Sequence, residues 1–349
     1  MNAAVAIAGR PIGPGHPPYI VAEISGNHRG RIENAFAIME AAREAGADAV
    51  KLQTYTADTI TLDYDGPEFT IQGGLWHGRT LYELYREAST PWEWHEALFA
   101  KGRELGITVF SSPFDATAVE LLASLEAPAY KIASCEIVDL PLIRRAAATG
   151  KPLVISTGMA DKAEIRDAVA AAESGGAAGV VLLHCVSAYP TRPEDSNLLT
   201  LPALARSFGA VAGLSDHTLG TTTSVAAVAL GAALIEKHVT LKRADGGPDA
   251  AFSLEPVELA ALVADARTAW QALGGVRHGP SPAEADSLKF RRSLYAVKDI
   301  AAGAVIGGDD VRSIRPGLGL PPKHLPDIIG RKARWAIKRG TPLSWDLLE

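Results

Sequence analysis

A (β/α)8 barrel of the TIM type, followed by a small mainly β module, is the fold this chain of 349 residues predicts. Three observations predict it. Eight short apolar or β-branched runs alternate with alanine-rich amphipathic segments, the pattern of repeated βα units around a parallel sheet. Most units repeat every 20 to 30 residues, as barrel units do. Beyond residue 276 the pattern changes to short alternating runs broken by Gly and Pro. An open doubly wound sheet is the alternative, weakened because no G-x-G-x-x-G follows the first run.

The runs are YIVAEIS, DAVKLQT, TVFSSPF, AYKIAS, PLVISTG, VVLLHCVS, VAGLSDH and ALIEKHV, beginning near residues 19, 48, 108, 129, 152, 180, 211 and 233. Helical segments such as IENAFAIMEAAREAG and AEIRDAVAAAESGG fit between them, each closed by a glycine suited to a helix C-terminus. The gap between the second and third runs is about twice the usual repeat, and residues 55–94 hold 8 of the 22 aromatic residues. An insertion after a strand lies on the active face of a barrel. Trp92 and Trp94 read as the insertion's own core, and the remaining rings as a lid or sugar platform. These boundaries give a barrel domain over 1–275, a linker over 276–290 (VRHGPSPAEADSLKF) and a small β domain over 291–349.

Bulk properties narrow the function. Cys135 and Cys185 fall in apolar strand-like runs, which suits small buried thiols in a reduced, cytoplasmic protein better than a disulfide. No secretion signal is visible in MNAAVAIAGRPIGPGHPP, and the most apolar internal run, TSVAAVALGAALI, is shorter than the roughly 18 residues of a membrane span. Residues 289–349 carry 12 Lys/Arg and 6 Asp/Glu, leaving 22 and 34 for the rest of a chain whose net charge is −6. The basic residues of the tail are scattered among apolar ones, so it reads as a domain that docks on an acidic partner surface, not on nucleic acid.

In a barrel, the C-terminal ends of all strands share one mouth. The ends carry Glu23, Ser25, Asn27 and His28; Lys51, Gln53 and Thr54; Ser111, Ser112 and Asp115; Lys131, Ser134 and Glu136; Ser156 and Thr157; Ser187 and Tyr189; and Ser215, Asp216, His217, Glu236, Lys237 and His238. Buried polar groups without partners are costly, so this ring implies a polar ligand or a dense internal network. Lys51 and Lys131 among several serines suit an anion of phosphate geometry, while ion pairs with Glu23, Glu136 or Glu236 are the plain alternative. His217 and His238 end neighbouring strands about 5 Å apart and so are placed to share a divalent metal, with Glu23 and Asp249 as nearby carboxylates.

Taken together, AEISGNH, VKLQT, FSSPFD, YKIAS, STGM, HCVSAYP, GLSDHTLG, IEKHVTL, GGPDAAFSLEP, RRSLYAVKDIAAG and IRPGLG resemble the sialic acid synthase family, the phosphoenolpyruvate-dependent nonulosonate synthases, over nearly the whole chain. The resemblance implies a metal-dependent (β/α)8 barrel with an antifreeze-like (SAF) C-terminal domain, acting as a domain-swapped homodimer. It implies that His217 and His238 bind the metal, Mn²⁺ with Mg²⁺ or Co²⁺ as alternatives. Lys51, Ser112, Lys131, Ser134, Ser156 and Ser215 would hold phosphoenolpyruvate. Glu23, Gln53, Tyr189, Glu236 and Asp249 would face an amino sugar, with Glu23 or Asp249 managing protons, and Arg315 would reach the acetamido group from the partner subunit. Ser187 departs from the Asn of sialate-type members, which takes it off the expected phosphoenolpyruvate set. TYTADTITLD, LW at 75 and 76, LYELYREA and TPWEWH look most like the pseudaminic acid synthase branch, whose acceptor is 2,4-diacetamido-2,4,6-trideoxy-L-altrose. N-acetylneuraminate and legionaminate synthesis are the alternatives within the family. Outside it stand a Schiff-base aldolase using Lys131 or Lys237, and a non-catalytic sugar- or ice-binding protein built around the tail.

Overall fold

The first strands are ones the periodicity does not announce. In the computed structural model, which describes residues 4–349, β1 (Val5–Ile7) and β2 (Arg10–Ile12) pair antiparallel around Ala8 and Gly9. Both turn residues have positive φ, 48° and 79°, the geometry that matches a two-residue hairpin to strand twist. Val5, Ile7 and Ile12 cluster with Tyr19, Phe110 and Leu234, which lie within the barrel strands, so the hairpin closes the N-terminal end of the barrel.

The eight apolar runs form β3 (Tyr19–Glu23), β4 (Ala49–Thr54), β5 (Thr108–Pro113), β6 (Tyr130–Ile132), β7 (Leu153–Ser156), β8 (Val180–Cys185), β9 (Val211–Asp216) and β10 (Leu234–His238). All pair parallel and in chain order, and β10 returns to β3 to close the barrel. Two apolar clusters show which way each strand faces. Val21, Ala49, Phe110, Val154, Leu183 and Leu234 fill the interior with the hairpin. Ile20, Val50, Leu52, Ile155, Leu182 and Ile235 instead pack outward against the helix layer. Successive strand residues alternate between the two sides.

The chain divides into two compact units, Met1–Gly274 and Gly275–Glu349. In the second, residues 282–290 form an exposed 3-10 segment. β11 (Ser293–Ala296) and β12 (Val311–Ile314) then pair antiparallel beside isolated bridges such as Ile300 with Ile337. Leu294, Ile306, Val311, Ile328, Ile337 and Leu343 give this unit its own core. Among the described residues, no helix is long and apolar enough to cross a membrane.

Candidate active site

Alternation decides which strand-end residues meet. Leu234 faces the interior and Ile235 the helices, so Glu236 and His238 continue inward and Lys237 outward. On β9 the same count, from inward Val211, turns Ser215 and His217 inward and Asp216 outward. The rings of His217 and His238 meet edge to face with centroids 5.4 Å apart. Asp216 and Lys237, expected at the mouth, pair at 2.8 Å behind the sheet, where Ser224 also donates to Asp216. Lys237 therefore faces the helix side, held by Asp216 and the Thr218 carbonyl away from the mouth, which removes it as a Schiff-base nucleophile. Thr54 and Ser111 are corrected in the same way: they bond to each other at 2.6 Å, and Thr54 bonds to His95. Asp115 caps the helix Ala116–Ser124 through the amides of Thr117 and Ala118.

The inward residues form a charge cluster. Lys51 Nζ lies 3.0 Å from Glu23 Oε2 and 3.4 Å from Glu236 Oε1, and donates to Ser112 Oγ at 3.2 Å. Lys131 Nζ is 3.1 Å from the same Glu236 oxygen, to which Ser215 donates at 3.2 Å. Burial pushes the Glu23 carboxyl up to about 7, with Lys51 opposing and Glu236 adding to the rise. Glu236 is held low against burial by the ammoniums of Lys131 and Lys51. Burial lowers Lys131, whereas the two carboxylates hold Lys51 above its ordinary value against the same burial. With Glu23 protonated, two ammoniums face one carboxylate, a balance that favours an anion.

Beside this cluster lies a ready-made gap. Ser134 Oγ accepts the amide of Gly158 at 3.1 Å, while the hydroxyls of Ser156 and Ser187 are buried with no hydrogen-bond partner. A Cβ on Gly158 would sit 2.5 Å from Ser187 Oγ and 2.7 Å from Ser134 Oγ, so glycine keeps the space between them open. Unpartnered buried hydroxyls are destabilising unless a ligand satisfies them. Ser187, set aside on sequence grounds, stands beside Ser134 in this gap. Gly158 carried no chemical signal in the sequence.

On the opposite side, Gln53 donates to Glu23 Oε1 at 2.9 Å and to Ser25 Oγ at 3.0 Å, and Ser25 in turn donates to Asp249 Oδ2. Ser25 holds a φ of 48°, uncommon for a side-chain-bearing residue, and this aims its hydroxyl at Asp249. Burial raises Asp249, opposed by the Ser25 bond. Two carboxyls are thereby joined in one hydrogen-bonded chain. Glu136, at the mouth beyond β6, is pushed by burial up to about 7 and keeps one oxygen unpartnered.

The imidazole pair fits a divalent cation. His217 Nδ1 lies 2.9 Å from the Val186 carbonyl; an oxygen that only accepts fixes the proton on Nδ1 and leaves Nε2 as the donor to a metal. His238 is buried with Nδ1 unpartnered, and burial holds its pKa well below the ordinary imidazole value. Neutral imidazole is the ligating form, which burial already favours at His238; His217, held above its ordinary value against burial by Cys185 and the Val186 carbonyl, gives up a proton when it ligates. Glu23 and Asp249 do not complete the pair: among the described residues no group of three or more His, Cys, Asp or Glu is arranged to hold a metal ion. Any further ligands would come from substrate or water.

Rings wall the imidazoles. Tyr189 lies 4.3 Å from the His217 centroid, and Phe252 lies 5.0 Å from His238 and 5.3 Å from Tyr189. Trp94, expected in the insertion's own core, instead packs on the barrel core and against His28. Cys185 is buried at the end of β8, but Cys135 is exposed in the turn after β6, contrary to the buried thiol expected. Arg315 is exposed just past β12 in the second unit.

Comparison with known proteins agrees with this architecture. The NeuB family profile matches residues 38–278, and a SAF domain matches residues 291–349. The chain is 45% identical over 334 residues to a pseudaminic acid synthase of Helicobacter pylori, covering 95% of this chain and 98% of that one. A pseudaminic acid synthase of Campylobacter jejuni is 42% identical over 325 residues, covering 93% and 95%. The crystal structure of an N-acetylneuraminic acid synthetase from Leptospira borgpetersenii, in complex with citrate, superposes with a TM-score of 0.74 at 30% identity, covering 83% of this chain and 97% of that one. With a matching profile, full-length relatives and a shared barrel, the chain belongs to the NeuB family, a barrel followed by a SAF domain.

Proposed function

We propose that the chain is a transferase that condenses phosphoenolpyruvate with 2,4-diacetamido-2,4,6-trideoxy-L-altrose, giving pseudaminic acid and phosphate. One observation carries the reading: a buried pair of lysines, ion-paired to Glu23 and Glu236, beside unpartnered serine hydroxyls, in the same mouth as an imidazole pair. The names of the Helicobacter and Campylobacter relatives support the acceptor.

Lys51 and Lys131, with Ser112, Ser134, Ser156 and Ser215, hold phosphoenolpyruvate, and each charge-assisted contact contributes about 1.5–3 kcal/mol. His217 and His238 would hold the divalent cation, Mn²⁺ before Mg²⁺ or Co²⁺, which when bound supplies Lewis acidity toward a carbonyl oxygen. Gln53, Tyr189 and Glu236 line the sugar side. C3 of phosphoenolpyruvate bonds to the aldehyde carbon of the open-chain sugar, whose oxygen takes up a proton. Water then adds at C2 and loses a proton, and the C2–O bond to phosphate breaks to leave the keto acid. Glu23 and Asp249, linked through Gln53 and Ser25, are placed to carry these protons. The protein acts in the cytoplasm as a domain-swapped homodimer in which Arg315 of one subunit reaches the acetamido group held by the other barrel. The excess of Lys/Arg in residues 289–349 and of Asp/Glu before them supports that pairing.

The test is phosphate release from phosphoenolpyruvate and Mn²⁺ with each candidate amino sugar. Release with the trideoxy altrose supports the reading; release with N-acetylmannosamine alone overturns it.

A further inference from the structure

The insertion after β4 delivers one ring to the mouth. A short antiparallel pairing of Thr70 with Thr80, with the Ile71 and Gly78 amides bonded to the Arg79 and Ile71 carbonyls at 2.9 Å, closes a tight loop. Trp76 stands half-buried on that loop, its centroid 5.6 Å from Tyr189. Tyr189 lies against His217, and Phe252 links Tyr189 to His238. An aromatic wall therefore runs without a break from the insertion to the imidazole pair.

The polarity of that wall follows from one bond. The indole N–H of Trp76 donates to the Pro248 carbonyl at 2.9 Å, which uses its only donor. What Trp76 then offers a ligand is carbon. A sugar hydroxyl turned toward such a surface loses its water and gains no partner, whereas a methyl loses nothing. Pro248 directly precedes Asp249, so the same bond steadies the loop that carries this carboxyl.

We propose that Trp76 is a specificity residue: its carbon face selects an acceptor whose end toward the insertion is a deoxy carbon, a methyl instead of a hydroxymethyl. The inference rests on the synthase reading and names the feature of the sugar that this site selects. An apolar pocket discriminates against an added hydroxyl by about 10- to 100-fold.

The experiment compares kcat/KM for the trideoxy altrose and its 6-hydroxy counterpart, by phosphate release, in the wild type, Trp76→Ala, Trp76→Phe and Trp76→Gln. The wild type favours the methyl sugar by about 10- to 100-fold. Trp76→Ala lowers that ratio about tenfold, chiefly by lowering KM for the 6-hydroxy sugar relative to the 6-deoxy sugar, while KM for phosphoenolpyruvate stays within about threefold. Trp76→Phe, which keeps a carbon face but has no N–H, retains the ratio. Should Trp76→Ala fail to fold, Trp76→Gln decides, because an amide that can partner a hydroxyl must lower the ratio. An unchanged ratio in Trp76→Ala or Trp76→Gln, or equal losses on both substrates, overturns the proposal. A wild type active only on N-acetylmannosamine sinks the trideoxy altrose assignment separately, leaving a synthase of another acceptor. Trp76 is then scored on that sugar and its 6-deoxy analogue, and a preference for the hydroxyl form overturns it.

Discussion

Gly158→Ala isolates the anion cradle from the rest of the fold. Gly158 does not need a left-handed backbone, so alanine is conformationally allowed there. Its added Cβ would lie 2.5 Å from Ser187 Oγ and 2.7 Å from Ser134 Oγ, so each oxygen must retreat by roughly 0.8–1 Å to reach an ordinary contact of about 3.5 Å. Serine hydroxyls make that move by rotating χ1, and the remaining contact with Ser134 Cβ at 3.1 Å is relieved by a small shift of the turn after β6. Rotation, however, turns both hydroxyls away from the gap between them. Losing the Ser134 hydrogen bond to a charged ligand costs about 1.5–3 kcal/mol, or roughly 10- to 10²-fold in kcat/KM for phosphoenolpyruvate. Steady-state phosphate release measures that loss, and thermal unfolding of the same variant should show a melting temperature within a few degrees of the wild type. Retention of phosphoenolpyruvate KM and kcat within threefold would refute the assignment of this gap to the anion.

Three further outcomes are expected. Lys51→Met leaves Glu23 and Glu236 short of a cation and should destabilise the barrel by about 3–5 kcal/mol in urea unfolding. Adding Glu23→Gln should recover part of the stability and none of the activity. Glu136 rises from an ordinary 4.5 to about 7 on burial; the folded state holds this proton more tightly than the unfolded chain, so the group's stabilisation is full below pH 4.5 and is lost as pH rises through 7. At about 1.4 kcal/mol per pH unit, Glu136→Gln should gain about 3 kcal/mol on the wild type between pH 4.5 and pH 7.5 in denaturant titrations, and a pH-independent difference would contradict the burial argument. His238→Ala should abolish Mn²⁺ binding in calorimetry and the activity that chelator removes and Mn²⁺ restores from the wild type; full metal affinity in that variant would dissolve the imidazole pair as a site.

The barrel was legible because each strand is buried on both faces, which writes it as a continuous apolar run between helices with their own periodicity. The N-terminal hairpin was not legible: three-residue strands are too short to show a period of two, and Arg10 and Pro11 interrupt the apolar run. Within the site, residue type was readable and orientation was only half so. Taking every polar residue at a strand end as part of the mouth gathered Lys51, Lys131, Ser215, His217, Glu236 and His238, which the strands do turn inward together. It also gathered Thr54, Ser111, Asp216 and Lys237, which alternation turns to the helix side. Asp115 was misread for another reason, since an acid just before a helix is as good a cap as it is a ligand. Gly158 and the N–H of Trp76 act through the space and the bond they occupy, and a sequence without coordinates shows neither.

Ion pairing and anion binding by the lysines are not rival readings of the same side chains. A buried cluster of two ammoniums and two carboxyls is a poor way to stabilise a barrel, because well-packed apolar residues of similar volume would be as stabilising or better. The lower interior shows that this chain can build such a layer, with Val21, Phe110, Val154, Leu183 and Leu234 filling it beneath the hairpin. The polar layer is therefore retained for what it binds. Glu23 and Glu236 keep Lys51 and Lys131 compensated in the absence of ligand. They do so unequally, since Glu236 stays ionised while Glu23 sits near 7 and releases its charge by taking up a proton. An anion arriving beside Lys51 thus meets a counterion that withdraws at the expense of one proton, and the withdrawn group is the carboxyl linked through Gln53 and Ser25 to Asp249. On the proposed reading, phosphoenolpyruvate binding and the protonation state of Glu23 are coupled through Lys51.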